Sequence, residues 1–469
     1  PTNTHTARHR EMVVMWAGAS SGRRCFSSSM RNTYQFTKNR FQVSPEKLSS
    51  PDEVVRQSVR NHDKIFVQMA AGNPQSLLRA LANQHDRFEY LEFFHLLLAG
   101  EAPHLQHNMR NFRVKSPFLG DLEREAVKDG RADYVPAFFS ELPDLFRRRL
   151  VELDVAMVHV SPPDRHGWCS LGTSIDCTLA AVKQSRTVVA QINPNMPRTH
   201  GDGLLHVNEF DFVVEVDEPI PEVSFNDSCE VSQKIGEHVA SLIPDGACLQ
   251  VGIGNIPNAV LGNLKNHRHL GVHTEMFSDG FVDLIENGVI TNRMKGICLD
   301  VNVATFLVGT RRLYDFVDDN PSVLMLPVDF VNNPVNIGQQ PNMCAVNSAL
   351  EVDLTGQVCA DSIGPSIYSG VGGQMDFMRG AAMSPGGKPI IALPSTTNSG
   401  ESRISAILKE GAGVVTTRAH VHYIVTEYGV AEMFGKSYRQ RAKNLIEIAH
   451  PDHREVLERE AVKRFGLLS

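Results

Sequence analysis

The strongest constraint on the fold is a repeated alternation of apolar runs, Pro/Gly loops and helix-like segments. An apolar run at 64–70 is followed by the loop "AGNP" and then by "QSLLRALANQ", which has helical spacing. Further apolar runs enter Pro/Gly loops at 154–167 and 187–197. Because strands that alternate with helices usually pair in parallel, the pattern predicts an α/β fold with mainly parallel sheets.

A polar segment at 217–228, "DEPIPEVSFNDS", interrupts this alternation and has the composition of a linker. The alternation then restarts, with strands predicted at "GVHTEMF" (271–277) and "GVVTT" (413–417). A chain of 469 residues is also too long for one ordinary hydrophobic core. We therefore predict two α/β domains, at 41–220 and 229–469.

The first 40 residues form a distinct head. They carry seven Lys or Arg against one acid, which leaves a charge of about −13 on the rest of a chain whose net charge is −7. A basic, Ser/Thr-rich head resembles a mitochondrial transit peptide, with "RRCFSSS" as a processing site cut after Phe26. The alternative is a disordered basic tail. The transit peptide predicts the mitochondrial matrix, and the acidic body argues against nucleic-acid binding.

Two further classes of site are not expected. The eight cysteines include no Cys-x-x-Cys pair and no zinc spacing, so we expect reduced thiols and no metal. No apolar run approaches the ~20 residues that span a bilayer, so no membrane helix is expected.

Two glycine-rich loops could carry chemistry. In "VGIGNIPNAV", Gly252 and Gly254 lie where a strand passes into a helix, and this loop fits a simple turn and an anion-binding cradle equally well. Pro257 departs from the dinucleotide-binding fingerprint. The second loop, "YSGVGGQMDF", has three glycines within four residues, and this density favours a functional loop in which backbone amides approach a ligand.

Glu275 is an isolated carboxylate at the end of a predicted buried strand, in "GVHTEMFSDG", with no Lys or Arg in that stretch. Most such acids are structural. A carboxylate beside amide-lined loops could instead attack a thioester carbonyl, because the oxyanion that forms needs donors already aimed at it. The residues alone leave both interpretations open.

Five longer motifs, taken in their order along the chain, carry a family resemblance. The set "GIGNIPNAV", "HTEMFSDGFVDL", "YSGVGGQMDFMRGA", "VTEYGVAEMFGKSYRQRA" and "LIEIAHPDHRE" resembles the acetyl-CoA hydrolase/transferase family of class I CoA-transferases over about residues 45–465. Mitochondrial acetate:succinate CoA-transferases are the most similar subgroup. The resemblance implies two α/β domains of the NagB/RpiA/CoA-transferase type around a cleft that binds CoA as a substrate, with no permanently bound cofactor.

The resemblance also implies roles for individual residues. Glu275 falls on the family's nucleophile, which forms an acyl anhydride and then a glutamyl-CoA thioester. Ile253 and Gly372 fall on its oxyanion donors, while Asn332 lies near the reacting carbonyl and Glu427 is a supporting acid. The residues implied to line the CoA site are Gly252, Ile253, Gly254, Asn255, Ile256, Asn347, Ser348, Gly370, Gly372, Gly373 and Lys388.

The expected reaction is acetyl-CoA plus succinate giving acetate plus succinyl-CoA, with ping-pong kinetics. Its partners are acyl-CoA and small carboxylates, without nucleic acid or membrane, and the usual family arrangement is a homodimer. The alternatives are an acetyl-CoA hydrolase, a 4-hydroxybutyrate or butyrate CoA-transferase, and a CoA-binding module without activity. The acid pair and the direction of flux are not specified by the sequence.

Overall fold

The structure, a computed structural model, describes residues 46–48, 50–224, 229–252 and 254–467. The predicted transit peptide, its cleavage site and the end of the predicted linker lie outside these residues. The residues from 46 onward belong to one compact unit. Within the described ranges, no helix combines the length and apolarity needed to cross a bilayer.

The amino-terminal part is built around an eight-stranded sheet. In chain order its elements are β1 (Glu46–Leu48), α1 (Pro51–Ser58), β2 (Lys64–Val67), α2 (Gln75–Asn83), β3 (Leu91–Phe94), β4 (Phe112–Ser116), α3 (Asp121–Lys128), β5 (Ala132–Tyr134), α4 (Leu142–Arg147), β6 (Val155–Val160), β7 (Trp168–Ser170), α5 (Thr178–Gln184), β8 (Thr187–Ile192), β9 (His200–Gly201), β10 (Leu204–His206) and β11 (Phe212–Glu215). The sheet has the order β1-β11-β8-β6-β2-β3-β4-β5, and every neighbouring pair is parallel.

The carboxyl-terminal part has a six-stranded sheet and several smaller ones. Its elements are α6 (Glu230–Leu242), β12 (Cys248–Val251), α7 (Asn255–Gly262), β13 (Gly271–Val272), β14 (Met276–Phe277), α8 (Asp279–Glu286), β15 (Asn302–Ala304), β16 (Phe306–Leu307), α9 (Arg311–Val317), β17 (Val323–Met325), α10 (Val328–Val331), α11 (Pro334–Gly338), β18 (Met343–Ser348), β19 (Glu351–Asp353), β20 (Val358–Cys359), β21 (Ser362–Ile363), β22 (Ser366–Ile367), α12 (Gln374–Met383), β23 (Lys388–Ala392), β24 (Ile404–Ser405), β25 (Tyr423–Thr426), β26 (Gly429–Glu432), α13 (Tyr438–Glu447) and α14 (Pro451–Phe465). The main sheet has the order β13-β12-β18-β23-β25-β26, with only β26 antiparallel.

These parallel sheets with flanking helices confirm the α/β prediction. In a parallel sheet the carboxyl ends of all strands lie at one edge, where loops can converge on a ligand. In the carboxyl-terminal sheet this edge carries the segments that follow β12 and β18. The boundaries of the two domains, 41–220 and 229–469, stay a prediction.

Backbone pairing joins the two parts of the chain directly. Strand β9, from the amino-terminal part, pairs in parallel with β17. Nearby, Ile175 donates its N–H to the Thr305 carbonyl at 3.0 Å. One cluster of buried apolar side chains also extends from Phe66 to Val425, across both parts. The two sheets therefore share a continuous core.

Two predicted strands are wrong in detail. The segment "GVHTEMF" is not one strand but two, because β13 pairs with β12 while β14 pairs with β16 of a different sheet. The Thr274 hydroxyl donates to the Met276 carbonyl at 2.9 Å, a local bond that turns the chain between them. The segment "GVVTT" forms only an isolated bridge from Thr416 to Val358.

The junction between β9 and β17 gives a test of this packing. Gly201 has φ +118°, and a Cβ atom there would overlap the Met325 carbonyl oxygen. Gly130 also has a positive φ, +73°, but a Cβ there would meet nothing within 4 Å. We expect Gly201→Ala to lower the free energy of unfolding by about 1–3 kcal/mol more than Gly130→Ala, as measured by urea unfolding. Equal losses in the two variants would contradict this packing.

Candidate functional site

Glu275 lies at the point where the chain leaves one sheet and enters another. Its carbonyl accepts hydrogen bonds from the N–H groups of Thr305 (3.0 Å) and Phe306 (3.2 Å), and the Thr274 N–H donates to the Val303 carbonyl at 3.0 Å. Hydrogen bonds to the segment at 303–306 thus hold the backbone at Thr274 and at Glu275 itself. The side chain can therefore be placed accurately without help from a cation.

The Glu275 carboxylate is bound by a neutral amide. Asn332 donates its Nδ2–H to Glu275 Oε2 at 2.7 Å. Asn332 is fully buried at the end of α10, where its own N–H donates to the Val328 carbonyl at 2.8 Å. Within the described part of the chain, the Asn332 Oδ1 atom has no hydrogen-bond partner. A fixed, uncharged donor therefore orients the carboxylate.

Burial dominates the acidity of this group. Glu275 is of intermediate exposure, and desolvation by the surrounding protein raises its pKa from 4.5 to about 7. The hydrogen bond from Asn332 lowers the pKa, and the negative charge of Asp376 raises it. Among the described residues, no cation contributes to the shift of this pKa. The carboxyl group therefore titrates near neutral pH.

The second glycine-rich loop packs directly against this carboxylate. A Cβ atom at Gly373 would overlap both Glu275 Oε2 and Asn332 Nδ2, so only glycine allows the backbone to approach so closely. Gly373 is also the residue that precedes α12. The first glycine of the loop, Gly370, lies against Pro117, where a Cβ would overlap the carbonyl oxygen. Gly372, which lies between these two glycines, has φ +55°, a conformation that favours glycine. Close packing or backbone conformation therefore restricts positions 370, 372 and 373 of the loop.

Hydrogen bonds from the amino-terminal part fix the same loop. Phe139 donates its N–H to the Gly372 carbonyl at 3.0 Å, and Leu119 donates to the Ser369 carbonyl at 3.0 Å. The Tyr134 hydroxyl accepts from the Val371 N–H at 3.3 Å. The N–H groups of Gly370, Gly372 and Gly373 have no protein acceptor among the described residues. These three N–H groups, including that of the predicted donor Gly372, are available to a ligand.

The first glycine-rich loop follows β12, the strand next to β13. Gly252 donates its N–H to the Val346 carbonyl at 3.2 Å, and Gly254 precedes α7 with φ +116°. Asn255 and Ile256 are the first residues of α7, whose free N–H groups favour an anion. Ile253, the predicted oxyanion donor, lies outside the described residues. The loop is therefore at the carboxyl edge of the sheet, adjacent to the segment that leads to Glu275.

The end of β18 joins this group through side chains. Asn347 donates its Nδ2–H to Gln250 Oε1 at 3.0 Å, which links it to β12. The Ser348 carbonyl accepts from Gln374 Nε2 at 2.8 Å, which links it to the first residue of α12. Asn347 and Ser348 therefore lie beside both glycine-rich loops, at the same edge of the sheet.

Two predicted site residues are not in this group. Lys388 is the first residue of β23, and its Nζ donates to the Leu242 carbonyl. Strand β23 runs from Lys388, opposite Cys344, to Ala392, opposite Ser348, so Lys388 lies at the amino edge of the sheet. The structure therefore does not bring Lys388 to Glu275.

Glu427 follows β25 at the carboxyl edge but faces a different space. Its two oxygens accept from the N–H (2.9 Å) and hydroxyl (2.6 Å) of Ser395. It lines a cavity of about 550 Å³ together with Lys234 and Glu237 of α6 and with Tyr428. Glu275 is not among the residues that line this cavity, and the supporting role of Glu427 stays a prediction.

The sequence analysis missed a second acid of the site. Asp376, on the first turn of α12, accepts from the Ser140 hydroxyl (2.8 Å) and N–H (3.1 Å) and lies 3.4 Å from Asn332 Nδ2. Burial raises its pKa to about 7, against hydrogen bonds from Ser140 and Asn332, and the charge of Glu141 adds to the increase. Its place three residues after the glycine loop is a signal that could have identified it, whereas nothing in the sequence identifies Ser140.

His273, two residues before Glu275, has a structural role. Its Nε2 lies 2.7 Å from the Val331 carbonyl, and Gln340 Nε2 lies 3.2 Å from its Nδ1. Burial lowers its pKa to about 3, so the ring is neutral.

In the part of the chain that the structure describes, no three His, Cys, Asp or Glu side chains are grouped to hold a metal ion. A desolvated carboxylate among amide donors suits nucleophilic attack on a carbonyl carbon.

Comparison with known families gives two matches that together cover most of the chain. The N-terminal domain of the acetyl-CoA hydrolase/transferase family matches residues 31–224. The C-terminal domain of the same family matches residues 309–461. These matches confirm the family resemblance predicted from the sequence.

Individual proteins are similar over nearly the whole chain. A 4-hydroxybutyrate coenzyme A transferase of Clostridium kluyveri is 47% identical over 426 residues, 90% of this chain and 99% of the relative. A succinyl-CoA:acetate/propanoyl-CoA:succinate CoA transferase of Fasciola hepatica is 46% identical over 456 residues, 95% of each chain. The crystal structure of a 4-hydroxybutyrate CoA-transferase from Porphyromonas gingivalis has a TM-score of 0.77 at 41% identity, and covers 90% of this chain and 98% of the other. The prediction of an enzyme of the CoA-transferase type is confirmed at the level of the family.

The raised pKa of Glu275 predicts a pH dependence of stability. Between about pH 4.5 and about pH 7 the folded chain holds a proton that the unfolded chain releases, so this group makes stability fall as the pH rises. Glu275→Gln removes this contribution. We expect its free energy of unfolding, relative to the unsubstituted protein, to increase by about 1–3 kcal/mol from about pH 5 to about pH 8.

Urea unfolding at both pH values measures this difference. Glu458→Gln is the matched control, because Glu458 is exposed on α14 and has no histidine partner among the described residues. A difference between Glu275→Gln and the unsubstituted protein that stays constant with pH, or changes in the opposite direction, would refute the assignment.

Proposed function

Because this chain belongs to the acetyl-CoA hydrolase/transferase family, we propose that it transfers CoA from a short-chain acyl-CoA to a carboxylate acceptor, with Glu275 as the covalent nucleophile. The observation that carries the proposal is the geometry of the Glu275 carboxylate. One oxygen is bound by the neutral Asn332 amide at 2.7 Å, and the glycine loop at 373 packs against the same oxygen. This arrangement orients the carboxylate without pairing its charge.

We propose acetyl-CoA and succinate as the substrates, with acetate and succinyl-CoA as the products. The Fasciola hepatica relative, named for succinyl-CoA and acetate, supports this pair. The Clostridium kluyveri relative is similar to the same degree and is named for 4-hydroxybutyrate. A 4-hydroxybutyrate or butyrate CoA-transferase on the same scaffold is therefore the second candidate, and rates with acetate, propionate, butyrate, succinate and 4-hydroxybutyrate as acceptors distinguish the two.

The reaction follows from the chemistry of a carboxylate and a thioester. Glu275 attacks the acyl carbonyl, forming a C–O bond while the C–S bond breaks, which gives a mixed anhydride and CoA thiolate. The thiolate attacks the glutamyl carbonyl, releasing the first acid and leaving a glutamyl-CoA thioester. The acceptor carboxylate then attacks that thioester, and the same steps in reverse order produce the new acyl-CoA.

The glycine-rich loops would supply the donors for the oxyanions. The Gly372 N–H has no protein acceptor in the described chain, and the contacts of its loop hold it in place beside Glu275. Ile253, the other proposed donor, comes from the family resemblance alone. The segments at 252–256 and 347–348 are the proposed CoA contacts, since they lie at the same edge of the sheet.

An acetyl-CoA hydrolase would use the same nucleophile, with water attacking the glutamyl-CoA thioester. A CoA-binding module without activity is the third possibility, and the presence of the complete set of family motifs in the sequence argues against it. The three differ in what acetyl-CoA yields: succinyl-CoA if succinate is the acceptor, acetate and free CoA without an acceptor, or nothing.

The central prediction is a covalent adduct on Glu275. With acetyl-CoA alone, the mass of the protein should increase by that of CoA less water, with the modification on Glu275. Succinate should then remove the adduct as succinyl-CoA. Glu275→Ala should form no adduct and lose about 10³-fold or more in turnover, since a covalent pathway has no substitute for its nucleophile.

Glu89→Ala is the control, because it removes an exposed acid instead of a buried one. Thiol release that is independent of succinate, with no succinyl-CoA, would identify a hydrolase. Near-normal turnover of a folded Glu275→Ala protein would overturn the proposal entirely.

We further propose the mitochondrial matrix as the location and a homodimer as the assembly. The first is supported by the basic, acid-poor composition of residues 1–40, and the second by the family resemblance. A fluorescent protein fused behind residues 1–40 should enter mitochondria, and replacing Arg23 and Arg24 by Glu should reduce its import. Cytosolic fluorescence from both fusions would contradict the location. Sedimentation analysis measures the mass of the protein in solution, which should be that of two chains; the mass of a single chain would contradict the homodimer.

A further inference from the structure

A second buried carboxylate lies beside the proposed nucleophile and takes no part in the chemistry above. Asp376 is only 4% exposed. Its Oδ1 accepts from the Ser140 hydroxyl at 2.8 Å and its Oδ2 from the Ser140 N–H at 3.1 Å. These bonds connect α12 to the segment Phe139–Glu141 of the amino-terminal part. Both oxygens of Asp376 are thus fixed by a residue that is 236 positions away in the sequence.

Asn332 lies between the two acids. Its Nδ2 donates to Glu275 Oε2 at 2.7 Å and is 3.4 Å from Asp376 Oδ2. An amide nitrogen has two hydrogens, one for each acceptor. If the amide were rotated by 180°, its oxygen would face two carboxyl groups instead. An acceptor at position 376 therefore favours the one orientation in which Asn332 can donate to Glu275.

Given the function proposed above, we propose that Asp376, anchored by Ser140, is a positioning residue of the reaction: it holds the Asn332 amide in the orientation that aims the Glu275 carboxylate at the thioester carbonyl. The effect acts through Asn332, since Asp376 itself is not in contact with the reacting atoms. Positioning of this kind matters because a misplacement of about 1 Å in a nucleophile can reduce the rate by about 100-fold.

The charge of Asp376 has a second consequence. Two carboxyl groups that share one neutral donor are unfavourable when both are ionised, and the charge of Asp376 raises the pKa of Glu275. Charged groups on the elements packed near Asp376 include Glu141 and the Arg147–Asp329 ion pair between α4 and α10. Lys388 of β23 donates to the Leu242 carbonyl, Asp144 of α4 lies 3.4 Å from Arg147, and Arg379 of α12 is exposed. Removing the charge at 376 should therefore make Glu275 ionise at lower pH.

Two substitutions at this position separate orientation from charge. Asn at 376 keeps an oxygen that can accept from the Ser140 and Asn332 N–H groups but carries no charge. Leu at 376 has neither acceptor nor charge. The Asn side chain has nearly the same volume as that of Asp, whereas the Leu side chain has as many heavy atoms but a larger volume. The thermal unfolding of both variants is therefore measured first. Ser140→Ala is a milder third variant, because it removes only the hydroxyl donor to Asp376.

The experiment measures the single-turnover rate of adduct formation on Glu275, and kcat and KM, across pH. We expect Asp376→Leu to lower the rate and kcat by about 10- to 100-fold with little change in the KM for acetyl-CoA, and Ser140→Ala to lower them less. Asp376→Asn should lose about tenfold less than Asp376→Leu, and the acidic limb of its pH profile should move to lower pH.

The outcomes are separable. If the unsubstituted protein forms no adduct, the proposed function fails. If it forms the adduct and folded Asp376→Leu forms it equally fast, only the positioning role fails. Equal losses in the Leu and Asn variants with an unmoved pH profile would show that Asp376 is structural. If Asp376→Leu does not fold, the other two variants decide: an unmoved pH profile in Asp376→Asn together with an unchanged rate of adduct formation in Ser140→Ala would overturn the positioning role.

Discussion

The site depends on one hydrogen bond, from the neutral Asn332 amide to the Glu275 carboxylate. A lysine or arginine in that position would lower the pKa of the acid strongly and would hold its charge in an ion pair. Without any donor, the buried carboxyl group would remain protonated to still higher pH. An amide is a compromise between these cases. It gives the carboxylate a direction while leaving its electron pairs available.

Several segments are arranged so that this hydrogen bond can form. Glu275 lies in the short segment that connects β13 to β14. Asn332 lies at the end of α10, and the Gly373 backbone, at the start of α12, packs against Glu275 Oε2. The segment at 139–140 supports α12 from the amino-terminal part through Gly372 and Asp376. Parallel strands make this convergence possible, because they place many loops at one edge of the sheet.

Local patterns were sufficient to predict the parts of the site that lie close together in the sequence. A stretch without Lys or Arg around Glu275 and three clustered glycines at 370–373 both indicate unusual environments, and the family resemblance connects them. The α/β class followed from the alternation of strands and helices. The strand at 271–277 was predicted as continuous because apolar periodicity does not reveal that two halves of one apolar run pair with different sheets.

Long-range partners could not be predicted in this way. Nothing near Ser140 indicates that it binds Asp376, since the pairing exists only after two parts of the chain have folded together. Lys388 shows the same limit. The family resemblance implies that it contacts CoA, whereas strand direction puts it at the amino edge of the sheet, so this contact stays a prediction. Which edge a residue reaches depends on the sheet topology, which a local pattern does not contain.

The pairing of β9 with β17 restricts how this enzyme can move. A strand contributed by the amino-terminal part is inserted beside a strand of the carboxyl-terminal part, and the two parts also share a core. Swinging them apart as rigid bodies would break main-chain hydrogen bonds and expose apolar surface. We therefore expect loops at the rim of the site to shift when a molecule as long as an acyl-CoA binds, while the two sheets stay fixed relative to each other. The reacting carboxyl group then keeps the same alignment throughout the catalytic cycle.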